Sequence, residues 1–450
     1  MKKNLPCRTI FVFLHFVMLL IHVPKLTNRL GYTLNVVFNH LLHAEHSITT
    51  DAQYFLQYGD AKLSYGQERL GDSLFIKSHS LLFETTIEEQ EPRAECIDGQ
   101  WVLFPVYGRD LDFSFDPLAA TFYMVTRYEE YLPHHEDIHG RFLTQESLAY
   151  QKGFIDQPVV DQWAQMIKKK ITERYPNYEM TKQNYLFVQT VDIDAAWAYL
   201  HKGFYRSTMG FARDIFARRD FSEVVRRFRV LTHREPDPFD SFDYILQRAD
   251  GSHPIFFALL ADYGTYDKPA SYLNRHMREL VQHLDDYAKM GIHPGYNTLE
   301  QPQLADTEIK RLESIIHRPI IRSRFHFLRF HLPTSYRILK RLGINEDYSM
   351  GFADSLGFRA GISVSYPFYD LERDHEIELL IHPFCIMDTT LQKYMKLSPE
   401  EGLEQYKHLI DSIRAVGGTF CCIIHNQNLT DLYGWAGWRE VYEQMIEYAK

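Results

Sequence analysis

From residue 185 onward, short apolar runs alternate with longer stretches in which apolar residues recur at helical spacing. The runs predicted to be strands are residues 185–191, 254–260, 291–296, 320–325, 345–350, 378–385 and 419–424. The predicted helices include residues 271–289, 304–316, 333–342 and 399–416. This alternation favours an α/β fold with a parallel sheet, either a barrel or a doubly wound sheet.

The chain before residue 180 has a different pattern, and we expect a smaller α+β domain at residues 26–180. Helical spacing or strand-like runs cover residues 32–42, 61–65, 73–77 and 101–106. Asp116 followed by Pro117 is typical of a helix start, because Asp caps the first turn and Pro is tolerated there. A further amphipathic helix is predicted at residues 156–173. The second predicted domain is then residues 181–450.

Residues 1–25 combine Lys2, Lys3 and Arg8 with an apolar run from residue 10 to residue 23. The run is shorter than the ~18 apolar residues of a membrane span, and no small-residue cleavage site follows it. An uncleaved anchor, a poor signal sequence and an upstream extension from a misassigned start all stay open, with the extension slightly favoured. Membrane contact is expected only for an anchor; an extension would go with a cytoplasmic protein.

Composition narrows the class of protein. The 450 residues are 45% apolar and 24% charged, which is ordinary for a globular protein of two or three domains. A formal net charge of −10 argues against nucleic acid as a partner. The five cysteines are few and odd in number, so neither a disulfide framework nor a zinc-finger spacing is indicated.

Polar side chains that could do chemistry stand at or just after the ends of the predicted strands. In a parallel barrel these ends meet on one side, where active sites form. The residues concerned are Asp192, Asp194, His293, Asn297, Arg324, His326, Asp347, His382 and His425. Asp192 and Asp194, two apart on one strand, face the same way, and crowded carboxylates need a cation or a proton. The pattern indicates a metal-assisted hydrolase.

Each candidate has a functional and a purely structural interpretation. One aspartate would bind the metal and the other would take a proton from water, although an Asx cap at a strand exit is equally common. His293, with Asn297 four residues later, could supply further ligands or bond within its own loop. Arg324 could hold a catalytic carboxylate ionised or belong to a basic surface turn.

His425 is the preferred general acid toward a leaving amine, because a polar loop follows it, while His382 has the same form and competes. Asp347 could support a substrate or a histidine, or be a satisfied loop carboxylate. Weaker candidates for lining a sugar site are Tyr296, Tyr433 and Trp435. Aromatic residues also pack helices, so these three are not decisive. The histidine-rich loop at residues 134–139 is expected to be solvated.

The order of these motifs resembles that of the NodB-type polysaccharide deacetylases, in a divergent branch with Asp-x-Asp in the first motif. The resemblance covers residues 185–450. It implies a distorted (β/α) barrel of about seven strands that removes N-acetyl groups from sugars with a divalent metal, usually zinc. The positions that match the family's motifs are Asp192 (catalytic base), Asp194 and His293 (metal ligands), Arg324 (third-motif arginine) and His425 (fifth-motif histidine).

The second motif departs from the family pattern, because Asn297 stands where a second histidine is expected. An amide oxygen is a weaker zinc ligand than imidazole. Asn297 could still bind the metal, His326 could replace it, or the ion could be harder than zinc or absent. The N-terminal part resembles an unnamed domain that precedes such deacetylases, through residues 115–117, 127–131 and 140–142.

Three functions are compatible with the sequence. The leading one is a metal-dependent hydrolase that deacetylates an N-acetylated glycan or glycan precursor. A catalytically inactive glycan-binding or scaffold protein on the same fold would explain Asn297. A carbon–nitrogen hydrolase of a small amide would be favoured by a closed pocket, whereas a groove lined by Tyr and Trp would favour a glycan.

Overall fold

A computed structural model describes residues 18–181, 183–218, 220–249 and 253–450, and they form a mixed α/β protein with parallel sheets, which confirms the predicted class. The N-terminal region, residues 18–181, contains strands β1 (Leu19–His22), β2 (His46–Thr49), β3 (Lys62–Gly66), β4 (Leu74–Lys77), β5 (Glu95–Ile97) and β6 (Gln100–Val102). Its helices are α1 (Asn28–Leu34), α2 (Ala52–Gln57), α3 (Pro117–Val125), α4 (Leu148–Lys152) and α5 (Val159–Arg174).

Four strands of the N-terminal region form a parallel sheet in the order β2–β1–β3–β4. One of the two inner strands is β1, Leu19–His22, and its apolar residues are buried. These residues therefore belong to the fold, although the prediction set residues 1–25 aside; residues 1–17 lie outside the described residues. Helix α3 begins as predicted, because the Asp116 side chain accepts hydrogen bonds from the backbone N–H groups of Leu118 and Ala119.

The C-terminal region, residues 183–450, contributes one large sheet and the helices around it. Its strands are β7 (Leu186–Ile193), β8 (Ile255–Ala258), β9 (Lys289–Ile292), β10 (Arg322–Ser323), β11 (Glu346–Asp347), β12 (Tyr366–Asp370), β13 (His375–Ile381), β14 (Ile386–Met387) and β15 (Thr419–His425). Its helices are α6 (Phe204–Ala212), α7 (Phe221–Leu231), α8 (Phe242–Ala249), α9 (Arg275–Tyr287), α10 (Gln303–Ile316), α11 (Thr334–Arg341), α12 (Pro399–Val416) and α13 (Trp438–Ala449).

The large sheet has nine strands in the order β12–β13–β11–β10–β9–β8–β7–β15–β14. All pairs are parallel except β12 with β13. Since β12 and β14 end this order, the pairing among the described strands leaves the sheet open and does not close it into the expected barrel. Pro367 lies in β12, where an edge position tolerates the missing N–H group.

The two regions share a continuous core, and buried ion pairs join them. Glu130 of the N-terminal region accepts bonds from Arg127 at 2.7 Å and from Arg359 of the C-terminal region at 2.7 Å. Burial alone would raise the pKa of the Glu130 carboxyl, but the two guanidinium groups lower it to about 2. The N-terminal region is thus held in a defined position against the large sheet.

The described helices all lack the length and the apolar character that a membrane span needs.

Candidate metal centre and active site

The candidate site lies where neighbouring parallel strands end on one side of the large sheet. Asp192 is the penultimate residue of β7, and Asp194 directly follows that strand. His425 ends β15 and pairs in register with Asp192. His293 directly follows β9 and Arg324 directly follows β10. Because β15, β7, β8, β9 and β10 are consecutive in the sheet, these five side chains meet in one place.

Asp194, His293 and His326 form a group that can hold a metal ion, since their ligand atoms all lie within 4.8 Å of one another. The Nε2 atoms of His293 and His326 are 3.4 and 3.5 Å from Oδ1 of Asp194. Within the described residues, that buried oxygen has no hydrogen-bond donor. One unsatisfied carboxylate oxygen and two imidazole nitrogens suit zinc or a similar divalent ion. The residues present therefore fit a metal.

The second ring nitrogen of each histidine is already bound, which orients the first toward the group. His293 Nδ1 donates to the carbonyl oxygen of Arg324 at 2.5 Å, and His326 Nδ1 donates to Asp267 Oδ1 at 2.7 Å. Asp267 also accepts the backbone N–H of Tyr296 at 3.0 Å. Such outer partners are usual for metal-binding histidines, because they fix the tautomer and the ring orientation.

The charges in this group stabilise one another. Burial would raise the pKa of the Asp194 carboxyl, but the adjacent histidines, His326 above all, hold it well below its ordinary value. Burial would lower the pKa of His326, but the carboxylates of Asp194 and Asp267 raise it to about 9. An imidazole must lose its proton to bind a metal, so metal binding is expected to release a proton here.

Asp192 is held by a buried arginine. Arg324 Nη1 donates to Asp192 Oδ1 at 2.8 Å and to Thr190 Oγ1 at 2.8 Å, and its Nε donates to the carbonyl oxygen of Tyr348 at 2.9 Å. The guanidinium carbon lies 4.5 Å from the centre of the Phe257 ring. A buried guanidinium holds a carboxylate in one orientation. The other oxygen, Oδ2, faces His293 Nε2 at 3.7 Å and is available as a base.

His425 is oriented by Asp388. His425 Nδ1 donates to Asp388 Oδ1 at 2.7 Å, and Asp388 Oδ2 accepts both the backbone N–H of His425 at 2.8 Å and the Asn428 amide at 2.9 Å. Its Nε2 points back to Asp194 Oδ2 at 3.7 Å. Burial would lower the pKa of His425, but Asp388 first, and then Asp194, raise it to about 9. A protonated His425 can therefore act as an acid near neutral pH.

These side chains line one cavity of about 140 Å³, together with residues from the loops above the strands. A second cavity of about 810 Å³ begins at Ala195, directly after Asp194, and Trp197, Leu200, Met209 and Tyr263 contribute to its lining. Its volume is in the range of a ligand site. The site therefore combines a narrow polar centre with a large, mostly apolar neighbour.

Of the metal ligands predicted from the sequence, Asn297 is not brought to the group. Its side chain is exposed, and it lines a separate small cavity with Asp262 and Glu308. The chain bends away after His293, where Gly295 packs so closely that a Cβ atom would lie 2.6 Å from Cβ of Ala261. The second imidazole comes from His326, one of the alternatives that the sequence left open.

Four other candidates also lie elsewhere. Asp347 is fully buried and accepts bonds from the hydroxyl of Ser323 at 2.8 Å and the backbone N–H of Ser349 at 2.9 Å. His382 stacks on Tyr348 and does not line the central cavity. Tyr433 bonds the Tyr199 hydroxyl at 2.5 Å. Trp435 is buried beside Trp438 and does not line the central cavity.

Tyr296 lies close to the site without lining the central cavity. Its ring stacks on Tyr266 with centroids 4.1 Å apart, and its hydroxyl bonds His139 Nδ1 at 3.1 Å. The bond to His139 connects the two regions of the chain. Tyr296 also packs edge-on against Phe327, which lines the central cavity, and so supports its lining.

Three residues of the site escaped the sequence reasoning. Asp388 follows β14, a strand of two residues that is too short to be recognised from the sequence. Asp267 stands in a loop after β8, also without a signal in the sequence. Arg141 lines the central cavity from the N-terminal region. It follows the histidine-rich loop that was expected to be solvated, yet Arg141 is buried.

The family model described as "Family of unknown function (DUF7033)" matches residues 19–176, most of the N-terminal region. No curated protein matches the chain.

Solved structures with a detectable likeness include several deacetylases. A protein of Mycobacterium smegmatis described as a polysaccharide deacetylase is 14% identical, with a TM-score of 0.38, over 59% of this chain and 84% of that one. The polysaccharide deacetylase Bc1974 of Bacillus cereus is 8% identical, with a TM-score of 0.30, over 59% and 88%. The carbohydrate deacetylase Agd3 is 8% identical, with a TM-score of 0.36, over 96% and 84%. Likenesses this distant carry no argument about function, which the site itself has to supply.

Proposed function

We propose that this protein is a metal-dependent hydrolase that removes N-acetyl groups from a glycan or a glycan precursor. One observation carries the proposal. The metal-binding group of Asp194, His293 and His326 is flanked by an arginine-held carboxylate, Asp192, and by a carboxylate-held histidine, His425. A base and an acid on either side of a metal position are what hydrolysis of an amide requires.

The residues of the chain divide the work. A divalent ion held by Asp194, His293 and His326 would supply Lewis-acid chemistry. Asp192 accepts the proton of the attacking water at Oδ2, while Arg324 keeps Oδ1 occupied. His425 donates the proton from Nε2 to the leaving nitrogen, since Nδ1 is held by Asp388. The acetyl group leaves as acetate and the sugar keeps a free amine.

A glycan substrate is favoured over a small amide by the large cavity next to the central one. It begins beside Asp194 and offers about 810 Å³ with Trp197 and Tyr263 in its lining. Aromatic faces pack well against sugar rings, and a small amide would leave this space empty. The observation that favoured an inactive protein, Asn297, loses its force because His326 supplies a second imidazole.

The decisive experiment combines metal content with acetate release. We expect close to one divalent ion per chain in the purified, metal-loaded protein, and acetate from N-acetylated oligosaccharides. Asp192→Asn should keep the ion and lose hydrolysis, whereas Asp194→Ala with His326→Ala should lose both. Metal without acetate from any N-acetylated sugar, under conditions where the protein is folded, would refute the proposed reaction.

A further inference from the structure

The outer wall of the central cavity carries two basic side chains, and one of them comes from the N-terminal region. Arg141 lines the cavity on one side. Lys393 and Tyr394, in a π-helical turn at Thr390–Tyr394, line it on another. The metal-binding group and Asp192 line the same cavity and are called its floor. A substrate whose acetamido group reaches the floor therefore comes near both cations.

Arg141 is built into this wall. It is 8% exposed, and its Nε and Nη2 bond Asp137 Oδ2 at 2.7 and 2.6 Å. Nη1 donates to the carbonyl oxygen of Phe327 at 3.0 Å. A guanidinium has five N–H groups. Three of them bond Asp137 and the Phe327 carbonyl, and the Tyr394 hydroxyl also bonds the group. One N–H group is left for an oxygen of a carboxylate or a phosphate in the cavity.

Lys393 adds a charge that Arg141 cannot, because Asp137 neutralises the arginine. The Lys393 side chain is exposed, and its ammonium lies 5.7 Å from the centre of the Trp435 ring. No carboxylate of the described residues forms an ion pair with it. The two acidic residues of the floor are committed, Asp192 to Arg324 and Asp194 to the metal position. In a chain of net charge −10, the mouth of this cavity is therefore locally positive.

We propose that Arg141 and Lys393 form an anion subsite, and that the substrate is an N-acetylated glycan with a carboxylate or phosphate group near the acetamido group. That the bound glycan is deacetylated rests on the proposed function, whereas the binding of an anionic sugar does not. It gives the N-terminal region a direct part in recognition. Charge complementarity of this kind selects among ligands more than it adds affinity.

The same wall couples the N-terminal region to the metal. Phe327 and Leu328, directly after His326, have φ angles of 60° and 53°, a left-handed conformation that is unfavourable for bulky residues. Arg141 holds the carbonyl of Phe327, and the Arg329 Nε donates to the carbonyl of His139 at 2.6 Å. The contacts across the regions help to keep this turn, and with it His326, in place.

The test measures binding without turnover, in the full chain carrying Asp192→Asn and loaded with metal. Three probes are titrated by calorimetry: N-acetylglucosamine, its 6-phosphate and the corresponding 6-uronic acid. We expect at least about tenfold tighter binding of one or both anionic sugars, weakening as salt rises. The relative affinities of the phosphate and the uronate tell which anion the subsite prefers.

Because phosphate can also bind a metal directly, Lys393→Gln decides the outcome. We expect it to reduce the preference for an anionic sugar by about fivefold or more, while the matched control Lys396→Gln, an exposed lysine three residues away, leaves the preference intact. Equal reductions in both variants, no reduction in Lys393→Gln, or no preference in the parent would overturn the inference. A chain that prefers anionic sugars and releases no acetate keeps the subsite and loses the proposed reaction.

Discussion

Histidines of two kinds lie at or just after strand ends of the same sheet, and their surroundings give them opposite properties. His326 and His425 each bond a buried carboxylate through Nδ1, and their pKa values rise to about 9. His382 follows β13, and no carboxylate in the described part of the chain bonds its Nδ1. Its ring stacks on Tyr348 at 4.3 Å, and Nε2 is 3.7 Å from Glu346. Burial there lowers the pKa of His382 to about 4.

The contrast teaches that a strand-end position is not enough to make a functional histidine. A carboxylate behind the ring orients it and supports its charge. A neighbouring aromatic ring and no carboxylate on Nδ1 make a neutral packing residue instead. Each expectation below tests one side of this contrast.

The largest effect is expected when the His326 imidazole is removed from the metal-binding group. His326→Ala should abolish metal binding and lower kcat/KM by more than about 10³-fold, because one of three ligands is lost. His382→Ala and Asn297→Ala should keep close to one ion per chain. Metal analysis of the three purified variants checks this; metal loss in Asn297→Ala, or retention in His326→Ala, would contradict the assignment of ligands.

Asp192→Asn should lower kcat by about 10²–10⁴-fold, the usual contribution of a general base. Asn keeps the shape of the side chain and can still accept from Arg324 through its amide oxygen, but it cannot take a proton. Metal content should not change, which separates this variant from His326→Ala. Acetate release by the metal-loaded protein is the measurement, and activity near that of the parent would remove Asp192 from the reaction.

Much of the fold could be predicted because its signals are local. Helix α12 spans Pro399–Val416, the residues predicted, since Ser398 and Glu401 form a capping box and Gly417 ends the helix at a φ of 71°. Strands β12 and β14 could not be predicted. The first contains a proline, and the second has two residues and exists only through its neighbour β15.

The site divides in the same way. Asp192, Asp194 and His293 could be predicted, because strand ends can be read from apolar runs. His326 rather than Asn297 could not be chosen, because the choice depends on the left-handed turn at Phe327 and on Asp267, which lies 59 residues away in the chain. Arg141 depends on how two regions pack, a property with no local signal in the sequence.

Asp388→Asn should have a smaller effect than loss of the base. Asn can keep the bond to the His425 backbone but no longer supports a charged ring, so we expect kcat to fall about 10–100-fold, as for other residues that orient a catalytic or metal-binding histidine. The pKa of His425 should also fall from about 9, since Asp388 is the main group that raises it. The alkaline limb of the kcat profile should then move to lower pH; an unmoved limb would argue against His425 as the acid.

The smallest effect on catalysis is expected at His382, where the change concerns stability and tests the other side of the contrast. His382 has a pKa of about 4 in the folded chain against an ordinary value of 6.5. Between these values the unfolded chain binds a proton that the folded chain does not, so the stability linked to His382 is full above pH 6.5 and falls as the pH drops toward 4. At about 1.4 kcal/mol per pKa unit the change is up to about 3 kcal/mol.

His382→Gln removes this titration. As the pH falls from 7 to 4, the unfolding free energy of the wild type should therefore decrease more than that of the variant. Urea unfolding at several pH values measures it, with His375→Gln, an exposed histidine on the same strand, as the matched control. A difference that stays constant across this range, or that changes equally in the control, would mean that His382 is not a buried neutral group. It would then have to be considered again beside His326 and His425.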